Sequence, residues 1–286
     1  MALSNNIIIR LREAKVTMTP VEKQVAEYVE AHLSDVPSLS VKELAQASRT
    51  SEASIIRFCK SVGCRGYRDF ALALSSTLGS MEEDSQNKYT DVQLGDSLDT
   101  IISNVSRNNC QSINDTLSVL NKEEVEKAVK AICEAHRIDF YGVGASGLVC
   151  QDAYQKFMRI NKRCAAYTDS HSQLTAAALL EPDDVAVFIS NSGNTVEILD
   201  TLFIAKKSGA KTIAITRYSK SELAREVDIV LHISTPEITF RSGAMGSRIA
   251  MLNIVDILFS GVASIQYKSV KTYLSRTHDA LMSRQR

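Results

Sequence analysis

The chain has 286 residues, which at roughly 100 to 200 residues per domain fits two domains of ordinary size. Apolar residues make up 44% and charged residues 23% of it, so wholesale disorder, a collagen-like repeat and a long coiled coil are excluded. Lysine plus arginine number 33 and aspartate plus glutamate also 33, so no global field steers the molecule toward nucleic acid or membrane and any charged partner must be met locally.

Six cysteines (Cys59, Cys64, Cys110, Cys133, Cys150 and Cys164) are scattered without the dense framework of small secreted domains, which points to a reducing, cytoplasmic compartment. Cys59 and Cys64 are separated by four residues, no histidine lies near, and no metal site is expected. Ile7, Ile8 and Ile9 form an apolar run too short for the core of an export signal, about 7 to 15 residues. Ile249 to Ile265 is shorter than the ~20 residues of a spanning helix and carries Asn253 and Asp256, so it reads as a buried helix with no membrane partner.

Residues 1–78 read as helices without a convincing strand. Thr19-Pro-Val-Glu22 combines a capping hydroxyl, proline at the first helical position and glutamate three residues after the cap, followed by an apolar stripe of Val21, Val25 and Val29. Ser40-Val-Lys-Glu43 repeats that capping spacing and opens a short helix to Ala47. Ser51 can cap a third helix with Ile55, Phe58, Cys59 and Val62 on its apolar face, stopped by Gly63. Its open side is predicted to present Glu52, Ser54, Arg57 and Lys60, with Arg65, Tyr67 and Arg68 just beyond. From Arg49 to Asp69 there are five basic residues against two acidic ones, a basic patch in a neutral chain. In a helix-turn-helix the second helix enters the major groove, where Arg57 can meet a base edge while Arg65, Tyr67 and Arg68 hold phosphates. Arg49, Ser51, Glu52, Ser54 and Lys60 complete the predicted DNA face. The same charges would also suit a solvated face of a helical interaction domain.

Residues 79–97 are polar and acidic, the composition of a linker. Helical patterns at Leu98 to Leu120 and Glu123 to His136 then precede a change of character. Ile138 to Tyr141, Cys164 to Tyr167, Asp184 to Ile189, Thr212 to Thr216 and Ile229 to His232 read as five strands alternating with helices, hence a parallel, flavodoxin-like sheet covered on both faces. Two strands end in loops suited to an anion. Gly142-Val-Gly144-Ala-Ser146-Gly147 lets backbone N–H groups at a helix start approach a phosphate. Ser190-Asn191-Ser192-Gly193-Asn194-Thr195 offers three hydroxyls at the start of another. Ligands in such sheets bind beyond the carboxyl ends of the strands. One competing reading is a dinucleotide site: Gly142, Gly144 and Gly147 satisfy G-x-G-x-x-G, and Asp169 follows Gly147 by 22 residues. The second hydroxyl-rich loop favours a monophosphate instead. From Gln266 to Arg286 five basic residues stand against Asp279, read as a solvated helix.

The helix-turn-helix of Ser51 to Gly63, the segments Arg57-Phe-Cys-Lys-Ser-Val-Gly63 and Tyr67-Arg-Asp-Phe70, and the loops Gly142 to Ser146 and Ser190 to Thr195 together resemble the RpiR family of bacterial transcriptional regulators over nearly the whole chain. The resemblance implies a DNA-binding domain over 1–78 and a sugar isomerase (SIS) domain over 98–286 that senses a phosphorylated sugar. It implies a homo-oligomer, dimer or tetramer, acting on operator DNA, commonly as a repressor of sugar or amino-sugar catabolism genes. By the same match, Ser146, Ser190, Ser192 and Thr195 take the phosphate-binding hydroxyl positions, with Gly144, Asn191, Gly193 and Asn194 in the same loops, and His171 sits where a sugar contact can lie. No cofactor and no catalysis are expected. An SIS isomerase would need a general base, for which His171 and Glu197 are the candidates, and neither belongs to a recognisable catalytic motif.

Overall fold

In the computed structural model, which describes residues 7–81, 93–235 and 244–282, both predicted capping boxes form. The Glu22 N–H reaches the Thr19 hydroxyl at 3.4 Å while the Glu22 carboxylate accepts from the Thr19 N–H at 2.9 Å. Ser40 and Glu43 exchange the equivalent bonds at 3.2 and 2.7 Å. These caps start α2 (Pro20–Ala31) and α3 (Val41–Ala47), and Ser51 starts α4 (Glu52–Ser61). Two further helices belong to the same unit: α1 (Ile7–Lys15) and α5 (Tyr67–Met81). The isoleucine run is thus a helix, with Ile7 and Leu11 buried against Val25, Val29, Phe58 and Phe70. The apolar stripe predicted for α2 needs one correction. Val25 and Val29 are buried, but Val21 is 42% exposed, because it lies in the first turn and off the inward side.

This first unit runs to Val119, together with residues 218–220 and 234–235. It therefore contains α6 (Leu98–Val119), a helix that the sequence reading gave to the second domain. A tertiary ion pair unites α6 with α1: Arg12 meets Asp115 at 2.6 Å, and Asp115 is buried. The predicted linker, 79–97, begins with the last turn of α5, and its central part lies outside the described residues.

The second unit is a three-layer α/β domain. Its elements in chain order are α7 (Lys122–Glu134), β1 (Ile138–Tyr141), α8 (Ala145–Arg159), β2 (Cys164–Tyr167), α9 (Ser170–Ala177), β3 (Val185–Ile189) and α10 (Val196–Lys207). β4 (Lys211–Arg217), α11 (Glu222–Glu226), β5 (Ile229–Ile233), α12 (Met245–Ile265) and α13 (Tyr267–Met282) complete it. All strand pairs are parallel in the order β2-β1-β3-β4-β5, the flavodoxin-like order expected from the alternating pattern. β1 and β3 are buried along their whole length, as strands covered on both faces must be. On one face Phe140, Val187, Ile213 and Ile215 pack with Phe157 of α8 and with Ile254 and Leu258 of α12. On the other, Tyr141, Phe188 and Ala214 pack with Ala177 of α9 and with Ile198 and Leu202 of α10. α12 begins four residues before the predicted apolar stretch; its 21 residues are long and apolar enough to cross a membrane by length and composition, yet its inner face is part of this core.

His232 on β5 lies at the edge of this core, where burial lowers its pKa to about 4 from 6.5, outweighing nearby backbone carbonyls that favour the cation. A lowered folded-state pKa means that the unfolded chain takes up the proton first. The stability attached to neutral His232 is therefore complete above pH 6.5 and is lost as pH falls toward 4. We expect a loss of about 1 to 2 kcal/mol, allowing for the ring's partial exposure. Urea midpoints between pH 7 and 4 should fall less steeply in a His232→Asn variant than in the parent protein.

Candidate DNA face and phosphate loops

In the first unit, Arg49, Ser51, Glu52, Arg57, Lys60, Arg65 and Arg68 are exposed along α4 and its flanks, as predicted. Ser54 is not. Its hydroxyl is buried, bonded to Ser51 at 2.9 Å and to the Arg57 guanidinium at 3.1 Å. At the third position of α4 it closes the cap rather than facing outward, and in doing so it holds the Arg57 side chain. Tyr67 also departs from its predicted place. Its hydroxyl donates to the carbonyls of Val36 and Leu39 at 2.9 and 2.7 Å, tying α5 to the turn before α3. That hydroxyl is spent on the fold. Arg49 has φ 52°, the left-handed conformation that lets a single residue turn the chain between α3 and α4. Cys59 and Cys64 are buried free thiols, and burial pushes the Cys59 thiol up to about 12, so neither is poised as a thiolate ligand. Among the described residues no group of three or more His, Cys, Asp or Glu side chains could hold a metal ion.

In the second unit the sheet register decides the site. β1 and β3 are direct neighbours, with Tyr141 opposite Phe188, so the glycine loop leaving β1 and the hydroxyl loop leaving β3 emerge side by side at the carboxyl edge. Their helices, α8 and α10, both begin there and point positive dipole ends at the same edge. This is the topological switch point of the order β2-β1-β3.

Gly144 caps α8 at φ 57° and ψ −129°, a conformation open to glycine and disfavoured for other residues. Gly147 donates its N–H to the Gly144 carbonyl at 3.0 Å, and Ser146 is half-buried in the first turn. In the second loop the Thr195 hydroxyl lies 3.3 Å from both the Ser190 and the Ser192 hydroxyls. The Gly193 N–H donates to the Ser190 hydroxyl at 3.2 Å and the Asn194 N–H to the Ser192 hydroxyl at 3.3 Å. The loop thus gathers three hydroxyls and keeps them bonded to one another and to its own backbone. An anion can take over these donors without a cation.

Asn194 has a second task. Its side-chain oxygen accepts from the Glu222 N–H at 3.0 Å, while the Gly193 carbonyl accepts from the Leu223 N–H at 3.0 Å, so α11 grips the loop from behind. Asn191 is anchored through its carbonyl, which accepts from the Arg217 N–H at 3.2 Å. Sequence reading missed both α11 and Gln173. The buried Gln173 amide of α9 donates to the carbonyls of Gly142 and Tyr167 at 3.3 and 3.0 Å, fixing where β1 and β2 end. A polar residue on the inner side of a short helix after β2 was the available signal.

His171 lies exposed in the first turn of α9, at the carboxyl edge of β2, and Glu197 is exposed in the first turn of α10. The dinucleotide alternative does not survive the topology. The usual dinucleotide order sets β1 between β2 and β4, whereas here β3 adjoins β1. Asp169 also caps α9, accepting from the Ser172 N–H at 2.9 Å, and this bond holds its carboxylate below the usual range.

Residues 5–81 match the helix-turn-helix domain of the rpiR family, and residues 131–261 match the SIS domain. An uncharacterized HTH-type transcriptional regulator of Caldanaerobacter subterraneus is 43% identical over 98% of both chains. The HTH-type transcriptional regulator YbbH of Bacillus subtilis is 34% identical over 96% of both. Among solved structures, Vibrio vulnificus NanR complexed with ManNAc-6P superposes with a TM-score of 0.61 at 25% identity, covering 97% of this chain and 98% of that one. Whole-length similarity, the capped helix-turn-helix and the paired loops of the parallel sheet agree: the chain belongs to the RpiR family of HTH-type transcriptional regulators, with a C-terminal SIS sugar-phosphate-binding domain.

Proposed function

We propose that this regulator represses genes of sugar or amino-sugar catabolism and releases its operator when a phosphorylated sugar occupies the loops Gly142–Gly147 and Ser190–Thr195. The observation that carries this reading is the convergence of two helix starts and three hydroxyls at adjacent strand ends, in a chain that also carries a basic helix-turn-helix. The bound ManNAc-6P of the NanR neighbour favours an amino-sugar phosphate as the first ligand to try. Ser146, Ser190, Ser192 and Thr195 hold the phosphate, with Gly144 and Gly193 allowing close approach; His171 reaches the sugar. Arg57 reads a base edge, and Arg49, Lys60, Arg65 and Arg68 hold operator phosphates. The protein works in the cytoplasm as a dimer or tetramer and does not turn its ligand over; His171 and Glu197 are exposed side chains in the first turns of α9 and α10, outside any recognisable catalytic motif.

The effector acts by changing how the SIS domains of the oligomer pack, which alters the spacing of the paired DNA helices. Coupling of this kind is about 1 to 3 kcal/mol, or roughly 5- to 150-fold in operator affinity, and it is reciprocal. Titration of ManNAc-6P with and without operator DNA should give different affinities. Equal affinities would end this mechanism, and isomerisation of the sugar phosphate by the pure protein would replace it with an enzymatic one.

Two variants separate the sites. Ser190→Ala removes one phosphate donor and also the acceptor of the Gly193 N–H, so it should weaken ligand binding by about 1 to 3 kcal/mol while leaving ligand-free operator binding intact. Arg57→Ala should do the reverse, costing about 1 to 3 kcal/mol on operator and relaxing preference at one base pair. Gel shifts against matched and mismatched operators, paired with ligand titration, check both.

A further inference from the structure

α10 carries an apolar stripe that the domain does not cover. Val196 is 67% and Phe203 58% exposed, with Leu199 half-buried between them at helical spacing. Leu199, Leu202 and Phe203 form one wall of an open groove of about 400 Å³, whose other wall is Glu222 and Glu226 of α11. The charges along this stripe are ordered. Asp200 lies toward the amino end, exposed and in no ion pair among the described residues, while Lys207 lies toward the carboxyl end with its ammonium 4.3 Å from the Phe203 ring centre. Lys206 is already held by Glu226 at 2.8 Å and closes the rim of the groove.

We infer that this face of α10 is a twofold interface on which a second copy of the chain docks, the two α10 helices running antiparallel and crossing at Phe203. Such a pair must be self-complementary, because a twofold axis sets one surface against itself. α10 meets that requirement. Centring the antiparallel pair on Phe203 brings the two aromatic rings together and sets Asp200 of one copy within a turn of Lys207 of the other, twice. A parallel pair would set like charges together. The same helix begins at Thr195, in the hydroxyl loop, so a ligand that draws Ser190, Ser192 and Thr195 onto its phosphate acts on the first turn of the interface helix. The inference rests on the oligomer named above and gives it a surface.

The test uses the full-length protein and measures mass by light scattering at micromolar concentration. Phe203→Glu should halve the mass of the assembly. Asp200→Lys and Lys207→Glu should each do the same alone, since either change gives positions 200 and 207, which oppose each other across the axis, the same sign of charge, and an equimolar mixture of those two variants should restore the parent mass. Far-ultraviolet circular dichroism should be unchanged, since all three side chains are exposed. A parent protein that is monomeric, a Phe203→Glu variant of unchanged mass, or a mixture that does not reassemble each overturns the interface. ManNAc-6P binding to the parent protein, measured separately, decides the ligand reading whichever way the masses fall.

Discussion

Gly193→Ala is expected to abolish the phosphosugar response and to lower stability by about 2 to 4 kcal/mol. Gly193 has φ 63°, where an L side chain is strained. A Cβ there would stand 2.3 Å from the Ser221 hydroxyl oxygen, 2.6 Å from the Ser221 Cβ and 2.8 Å from the Thr216 hydroxyl. None of these can withdraw cheaply. Ser221 is buried and caps α11 by accepting from the Ala224 N–H at 3.3 Å, and Thr216 is buried on β4. The methyl group must therefore push the loop off α11, breaking the Gly193–Leu223 and Asn194–Glu222 bonds that set the hydroxyls in place. Gly144→Ala is the control. It has a comparable positive φ, but a Cβ there meets nothing within 4 Å, so only the conformational cost of its φ 57°, ψ −129° backbone applies, about 1 to 3 kcal/mol. Thermal melts with and without ManNAc-6P should show a ligand-induced rise that is absent in Gly193→Ala and reduced in Gly144→Ala. Equal effects at the two glycines would refute the role given to α11.

Arg137→Met should be the most destabilising of the substitutions named here, at about 3 to 5 kcal/mol. Asp139 is fully buried on β1, and Arg137 grips both of its oxygens at 2.9 and 2.7 Å. Tyr141 adds a hydroxyl at 2.9 Å while its ring stacks on Phe188 and Tyr167 with centroids 5.2 and 5.6 Å apart. Burial raises the Asp139 pKa against the lowering effect of Arg137, so without the guanidinium the carboxylate is left to the tyrosine alone. The sign of the pH effect follows. A raised folded-state pKa favours the protonated folded form, so the deficit of Arg137→Met should be largest at neutral pH and shrink as pH falls into the carboxylate range. Urea unfolding at pH 7 and pH 5 measures this, and Arg137→Met combined with Asp139→Leu should recover most of the loss. Operator recognition should be intact in whatever fraction stays folded.

Much of the candidate site could be proposed from the sequence alone, because its residues are neighbours in sequence. Ser190, Ser192, Gly193 and Thr195 lie within one loop, and Gly142 to Gly147 announce a strand giving way to a helix. Ser54 and Tyr67 were misplaced for the same local reason. Periodicity says that a position lies near the open side of a helix, but it does not reveal that the Ser51 cap draws Ser54 inward or that two carbonyls from the turn before α3 wait for the Tyr67 hydroxyl. Asp139 was also within reach of sequence reasoning, since Arg137 two residues earlier shares its side of a strand.

By itself the sequence determined where helices and strands begin, through the caps at Thr19, Ser40 and Ser51 and the alternation of apolar runs with glycines and hydroxyls. These are interactions across three or four residues, and they form wherever the chain goes. Tertiary structure alone decided that β3 lies beside β1, that α11 and Gln173 brace the two loops, and that α6 joins the first unit through Arg12 and Asp115. Each of those depends on groups tens to a hundred residues apart, whose meeting is fixed by which faces the sheet and helices must bury and not by any local pattern.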